Sequence, residues 1–273
     1  LFFDDKVYIC AKDNHQTIIT MKKHVMALCL VLAFAAVVNG QEFKIGMAGG
    51  IYSTWLVNTN VSDQGDDLDF AATFGGQLGV EAQYYFKDNL GISFGLLYTG
   101  HNQKYTGDLN NNASYEAKTK MRYLDIPILL RFGGGSKGAY FEFGPQIGML
   151  MSAKDELTTS PSSPLDWSDK DRKDNFKTSN LAGILGFGVD IDASENVLIT
   201  TGLRLGYGIN DVTKEYTQAE AAVLAAADNL GFSTAAAHIK QGDSGGDKFE
   251  YAPTARAFGG LHLGVIFKIP SRK

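Results

Sequence analysis

Cysteine is nearly absent: the 273 residues hold two, Cys10 and Cys29, and both precede residue 41. Everything after that point has no disulfide, no thiol nucleophile and no thiolate metal site. Proline is scarce, at 6 residues. Beyond Gln41 no apolar run approaches the ~20 residues that a transmembrane helix needs. A formal net charge of −5 lacks the basic footprint of a nucleic-acid binder. Glycine is plentiful, at 31 residues, without the period of collagen or the composition of a disordered chain.

The one sustained apolar run lies early. Met21 opens MKKHVMALCLVLAFAAVVNGQE, in which Lys22, Lys23 and His24 precede apolar residues from Val25 to Val38, followed by Asn39 and Gly40. This order predicts a signal peptide over 21–40, cleaved before Gln41, because the run is too short to span a bilayer. Cys29 follows Leu28, not the small residue of a lipoprotein signal. A signal must be N-terminal, so residues 1–20 are expected to be an upstream mis-start, with 41–273 as the mature domain.

What fills the mature region is alternation of period two, the mark of strands with two unlike faces. Eight such segments are read, at about 42–55, 74–86, 90–101, 121–132, 139–152, 179–191, 197–209 and 256–269. Short turns follow the second, fourth and sixth: Lys87-Asp88-Asn89, 133–138 and 192–196. Long polar loops follow the others, at 56–73, 102–120, 153–178 and 210–255. That regularity predicts an all-β fold, an eight-stranded antiparallel up-and-down transmembrane β-barrel. Its four long loops would be extracellular and both termini periplasmic, in the outer membrane.

Alternation alone fits a soluble lipocalin-like barrel too, with apolar residues pointing inward. The composition of the polar face argues for the membrane alternative. It carries Gly79, Glu81 and Gln83, then Gly91, Ser93 and Gly95, then Glu142, Gly144, Gln146 and Gly148, and finally Thr200, Gly202, Arg204, Gly206 and Gly208. Small residues with a few pairable charges suit a narrow lumen, whereas a watery exterior favours Lys, Glu and Thr. The opposite rows, such as Leu78, Val80, Ala82 and Tyr84 or Leu203, Leu205 and Tyr207, would face lipid. Phe43, Phe86, Phe132, Phe141 and Phe267 gather at one predicted end, and Tyr98 and Tyr207 at the other, as interfacial girdles do.

An eight-stranded barrel is just wide enough for its own side chains, so the lumen is expected to be plugged rather than porin-like. Its candidate residues are Glu81, Asp125, Glu142, Gln146, Arg204 and His262, with Arg204 held by Glu81, Asp125 or Glu142. A gated ion path through the same residues is the alternative. Within YLDIPILLRF, residues 123–132, Asp125, Pro127 and Arg131 would look inward and the aliphatic row outward. The proline predicts a bulge or local irregularity.

The run Tyr123-Leu124-Asp125-Ile126-Pro127, with Arg131 further on, resembles the strand signature of PorT-type outer-membrane β-barrel domains of Bacteroidetes. FKIGMAGG in the first strand and YFEFGPQIG in the fifth are similar to that family as well. The resemblance covers 41–269 and implies an eight-stranded barrel in a Gram-negative outer membrane. A founding member is linked to secretion and gliding, but many paralogues have no known role. Such barrels often end on an aromatic residue. This sequence runs on past Phe267 to Lys273, so its insertion signal is expected to be internal or degenerate.

Function would then lie in the loops. Asp63, Asp66, Asp67 and Asp69 are candidates for a divalent-cation site, but their spacing is not that of an EF-hand, and a solvated acidic loop is the alternative. Trp167 sits in a loop of mixed charge. In the last loop, Thr217 and Glu220 read as a capping box, alanines follow, and Gly231 is a stop. This helix would cover the barrel mouth or dock a partner through Val223 and Leu224. The mature histidines, His101, His238 and His262, form no local catalytic set, Ser93 lying deep on the strand of His101. The expectation is a non-enzymatic interaction or structural protein without cofactor. Its partners would be outer-membrane lipids and lipopolysaccharide, and a protein met through the loops, with no nucleic acid. A secretion or envelope-assembly accessory and a lipid-modifying enzyme are the alternatives.

Overall fold

A computed structural model describes residues 42–61, 68–109, 113–133, 138–162, 164, 166–227, 229–238 and 250–269. Ten strands run in order: β1 (Glu42–Val57), β2 (Asp69–Ala71), β3 (Phe74–Lys87), β4 (Leu90–Leu109), β5 (Ala113–Gly133), β6 (Gly138–Ser160), β7 (Trp167–Asp171), β8 (Ser179–Asp192), β9 (Val197–Gly208) and β10 (Ala255–Ile269). Two short helices, α1 (Gln218–Ala226) and α2 (Phe232–His238), lie between β9 and β10. The eight long strands form an antiparallel ring, β1-β3-β4-β5-β6-β8-β9-β10, and β10 returns to β1 from Val57↔Ala255 to Phe43↔Ile269. The short strands add to its rim, β2 on β4 and β7 on β6. Closure leaves no open edge among the long strands, as hydrocarbon requires of any sheet that crosses it.

Through the lower part of the ring the faces sort by chemistry. Leu78, Val80, Phe94, Leu96, Leu185, Phe187, Leu203, Leu205, Leu261, Leu263 and Val265 are exposed on the outside, while Glu81, Gln83, Asp125, Arg131, Glu142 and Arg204 are buried inside. In YLDIPILLRF, Asp125 and Arg131 are buried and Leu130 and Phe132 exposed. Phe43, Phe86, Phe132, Phe141 and Phe267 are all exposed at the short-turn end, where Phe132 lies opposite Phe141 and Ile45 opposite Phe267. A cylinder that is apolar outside and charged inside is matched to lipid, not water.

Pro127 interrupts the ladder without shifting it. Between Phe94↔Ile128 and Leu97↔Asp125 two pairs with β4 are missing, yet the register on either side is the same. The register shift on β5 lies instead at Arg122/Tyr123 against β6, where Arg122 faces Ser152 and Tyr123 faces Leu150. Met151 is the extra residue of that bulge.

The loops at 102–120 and 153–178 are largely not loops. β4 continues to Leu109, β5 begins at Ala113 and β6 runs to Ser160. At ~3.3 Å per residue the 21 residues of β5 span about 70 Å, far more than the about 10 residues that cross a bilayer. In this upper part the polarity of the alternation is reversed. Lys104, Lys118, Lys120 and Lys154 now point outward, and Tyr105, Ala117, Met121 and Ala153 are buried inside. The reversal occurs at one level. The outward row Leu78, Tyr98, Leu124 and Met149 is apolar, the next is Gly76, Gly100, Arg122 and Ser152, and the one above is Phe74, Asn102, Lys120 and Lys154. Searching for rows that are apolar outside hides these segments, because above the membrane their greasy side faces in.

Hydrogen–deuterium exchange in lipid vesicles tests closure. Amides of Ile45, Met47 and Gly49 against β10 should be protected as strongly as those at the β8–β9 pairing, and rapid exchange confined to the β1–β10 seam would show an open sheet.

Candidate functional site

The lumen is organised around Glu142. On one row of the sheet Glu142 lies opposite Gly186, and Gly186 opposite Arg204. With no side chain between them, Arg204 donates from Nε (2.9 Å) and Nη2 (2.6 Å) to Glu142 Oε1. A Cβ on Gly186 would lie 2.7 Å from that same oxygen. Arg131, opposite Glu142 on β5, donates to Glu142 Oε2 (3.3 Å), Asp190 Oδ1 (2.6 Å) and Thr200 Oγ1 (3.3 Å). Its guanidinium also stacks 3.5 Å from the centre of the Tyr140 ring. Glu142 is thus shared by two arginines.

The network continues from Arg204 Nη2 to Glu81 Oε2 (3.4 Å). Glu81 accepts from Gln83 Nε2 (3.1 Å) and lies 3.3 Å from His262 Nε2, while His262 Nδ1 contacts the Tyr52 hydroxyl at 3.1 Å. Asp125 belongs to a second cluster nearer the long-loop end. It takes both terminal nitrogens of Arg256, at 2.9 Å from Nη1 to Oδ1 and through a shorter bond from Nη2 to Oδ2. Arg256 also donates from Nε to His101 Nδ1 (3.3 Å) and lies 4.0 Å from the Tyr123 ring centre. Among the described residues, buried cations and carboxylates balance at five each: Lys44, Arg131, Arg172, Arg204 and Arg256 against Glu81, Asp125, Glu142, Asp155 and Asp190. Burial without such pairing would be prohibitive.

Sequence reading assembled part of this set. Glu81, Glu142, Arg204 and His262 do meet, but Asp125 holds Arg256 rather than Arg204, because its row neighbour is Gly148 and the space beside that glycine is where Arg256 enters. Gln146 is buried but makes no side-chain hydrogen bond. Arg256 and Asp190 were missed. Arg256 is the second residue of its strand and Asp190 near the last of its own, so neither stood out as mid-lumen. His101, the last residue of the segment read at 90–101, is fully buried, since β4 runs on past it.

Above the charged clusters the lumen is covered by α2, not by the helix read from the sequence. That helix forms as α1, with Thr217 and Glu220 in a capping box; the Thr217 hydroxyl and amide hold the Glu220 carboxyl below its usual range. Yet only Ala221 of α1 is buried, and Val223 is 68% exposed. After Gly231, at φ +74°, α2 buries Ser233, Thr234, Ala236, Ala237 and His238. Asp155 Oδ2 accepts the Phe232 amide (2.9 Å) at the start of α2, and its Oδ1 accepts from the Thr119 hydroxyl (2.6 Å). Asn60 Nδ2 donates to Ala237 O (3.0 Å) at the end. Ala236 joins Val61, Leu68, Tyr105 and Ala117 in an apolar cluster that forms the interior of this cap.

Asp69 is exposed and accepts its neighbour's amide, Phe70 N, at 2.7 Å. Asp63, Asp66 and Asp67 lie outside the described residues. Trp167 begins β7, with Lys170 and Arg172 over its ring at 5.3 and 5.4 Å.

Residues 38–214 match the family described as outer membrane protein beta-barrel domain. The chain belongs to that family. Outer-membrane barrels are also among the solved structures it resembles. Neisserial surface protein A (NspA) is 12% identical over 85% of this chain and 100% of that one, with a TM-score of 0.36. OprG from Pseudomonas aeruginosa is 13% identical over 84% and 95%, at 0.32. The protease OmpT from Escherichia coli is 9% identical over 84% and 96%, at 0.29. No match to a curated protein sequence was found. As a member of the outer membrane protein β-barrel family, the chain is placed in the outer membrane.

In this outer-membrane barrel, Glu142→Ala should destabilise the fold by about 3–5 kcal/mol, as removing one partner of a buried ionic group does. A double-mutant cycle by urea unfolding in lipid vesicles should give a coupling of roughly 1 kcal/mol or more between Glu142 and Arg204, and none between Glu142 and Arg256. Equal coupling in both pairs would merge the two clusters.

Proposed function

We propose that this chain is a non-enzymatic outer-membrane barrel with an occluded lumen, whose role is to hold a rigid cap of strands and helices above the membrane for interaction. The observation that carries the reading is the double seal: the paired charges from Glu81 to Asp190 across the tube, with α2 seated over them. The tight turns then face the periplasm, and the extended strands β4–β6 and the helices face outside, as in barrels with one short-looped and one long-looped end.

Catalysis finds little support in the histidines. His101 has Nε2 on the Trp55 carbonyl and Nδ1 on Arg256 Nε, and eight residues along an extended strand put Ser93 about 26 Å away at ~3.3 Å each. His238 is similarly held, between Thr234 O (2.9 Å) and Tyr216 N (3.3 Å). A second reading, as an accessory of secretion or envelope assembly, draws on the PorT-type likeness of residues 123–132. Loss of secreted cargo from a deletion strain would favour it.

Planar-bilayer recording tests occlusion. The intact protein should show no stepwise conductance, whereas removal of 232–238 together with Arg204→Ala should produce flickering openings. Stable porin-like steps from the unaltered protein would contradict the proposal.

A further inference from the structure

The outer wall carries a feature that neither the lumen nor the cap requires. At the level where the outward rows change from apolar to charged, Arg122 lies against the outside of the barrel. Its guanidinium rests over Gly100, where a Cβ would come within 3.3 Å of Nη1. Nη1 donates to Met121 O (2.9 Å) and to Asn102 Oδ1 (3.2 Å), and Asn102 is itself fixed by donating to Phe74 O at 2.7 Å. Among the described residues no carboxylate pairs with Arg122. Two of the neighbouring outward lysines differ: Lys104 is bound to Glu116 and Lys120 to Glu156. Arg122, at the membrane boundary, is therefore positioned by two acceptors on Nη1, and among the described residues no hydrogen bond engages its Nε or Nη2.

Beside it runs a groove of ≈ 440 Å³, whose lining includes Arg122, Asn102, Tyr98, Phe74, Leu78 and Gly76. Its walls are graded. Leu78 and Tyr98, both more than half exposed, stand on the apolar side, while Asn102 and Arg122 stand at the polar edge, beside the exposed ring of Phe74. This is the gradient of a lipid at its headgroup, with acyl chain below and phosphate above. A guanidinium matches phosphate better than an ammonium does, through paired N–H donors in a fixed plane.

We propose that this groove binds the phosphate-bearing headgroup of a lipid in the leaflet at the long-loop end, with Arg122 on the phosphate and the Leu78–Tyr98 wall against the first acyl segments. With that end facing outside, as proposed above, the lipid is a phosphorylated glycolipid of the outer leaflet.

Native mass spectrometry of the detergent-purified full-length protein, incubated with lipid A or with its dephosphorylated form, tests this. The unaltered protein should retain lipid A about tenfold better than the dephosphorylated lipid. Arg122→Gln should lose that preference while keeping heat-modifiable mobility on gels, and Arg122→Lys should keep part of it. Equal retention of the two lipids by the unaltered protein would overturn the proposal without needing any variant. Undiminished preference in Arg122→Gln would overturn it too. Displacement of lipid A by inorganic phosphate alone would make this a free-anion site instead of a headgroup site. None of these outcomes depends on which end faces outside, so the proposal and the orientation fail separately.

Discussion

The surroundings of the chain change abruptly at the Arg122 level, and the strands obey both solvents in turn. Below it the outside meets hydrocarbon, so Leu124, Ile126, Ile128 and Leu130 point out and Asp125 and Arg131 are driven in. Above it the outside meets water, so Lys118 and Lys120 point out and Ala117, Thr119 and Met121 are covered. One strand of 21 residues serves both conditions without a break in its period. Only the sign of the pattern flips, and a bulge at Met151 on the adjoining strand marks the place.

Much of the interior follows from the lower condition. Charge that cannot face lipid must be paired within the tube, which accounts for the balance of buried cations and carboxylates. Reach across the tube then needs gaps in the wall. Gly186 and Gly148 leave the space in which Glu142 meets Arg204 and Asp125 meets Arg256. At these two positions glycine gives room to long charged side chains, whereas at others, such as Gly46 and Gly79, the close neighbour is the backbone of the adjoining strand.

The barrel was legible in the sequence because eight segments alternate in one sense and the turns between them are short on one side only. The cap was not. KYTGDL and ASYEAKTKM keep the period of a strand, but with Tyr105, Ala117 and Met121 as the inward residues, and a search tuned to greasy exteriors reads them as polar loops. The cover was misplaced for a related reason. Thr217 and Glu220 announce α1 by local chemistry, whereas α2, seven residues of FSTAAAH, is held by tertiary contacts with Asp155, Thr119 and Asn60 that leave no local signal. Pairing in the lumen was only partly foreseeable. Residue types indicated which side chains must find partners, but which carboxylate reaches which arginine depends on register and on the glycine between them.

The claim that one outward face passes from lipid to water can be measured directly. After residue 41 the chain has no cysteine, so single cysteines can carry spin labels at Ile128 and Lys118, both outward on β5. In vesicles the label at 128 should be relaxed by oxygen and shielded from a water-soluble nickel complex, and the label at 118 should show the reverse. Matching accessibilities at both sites, or lipid contact at 118 with water at 128, would contradict the account.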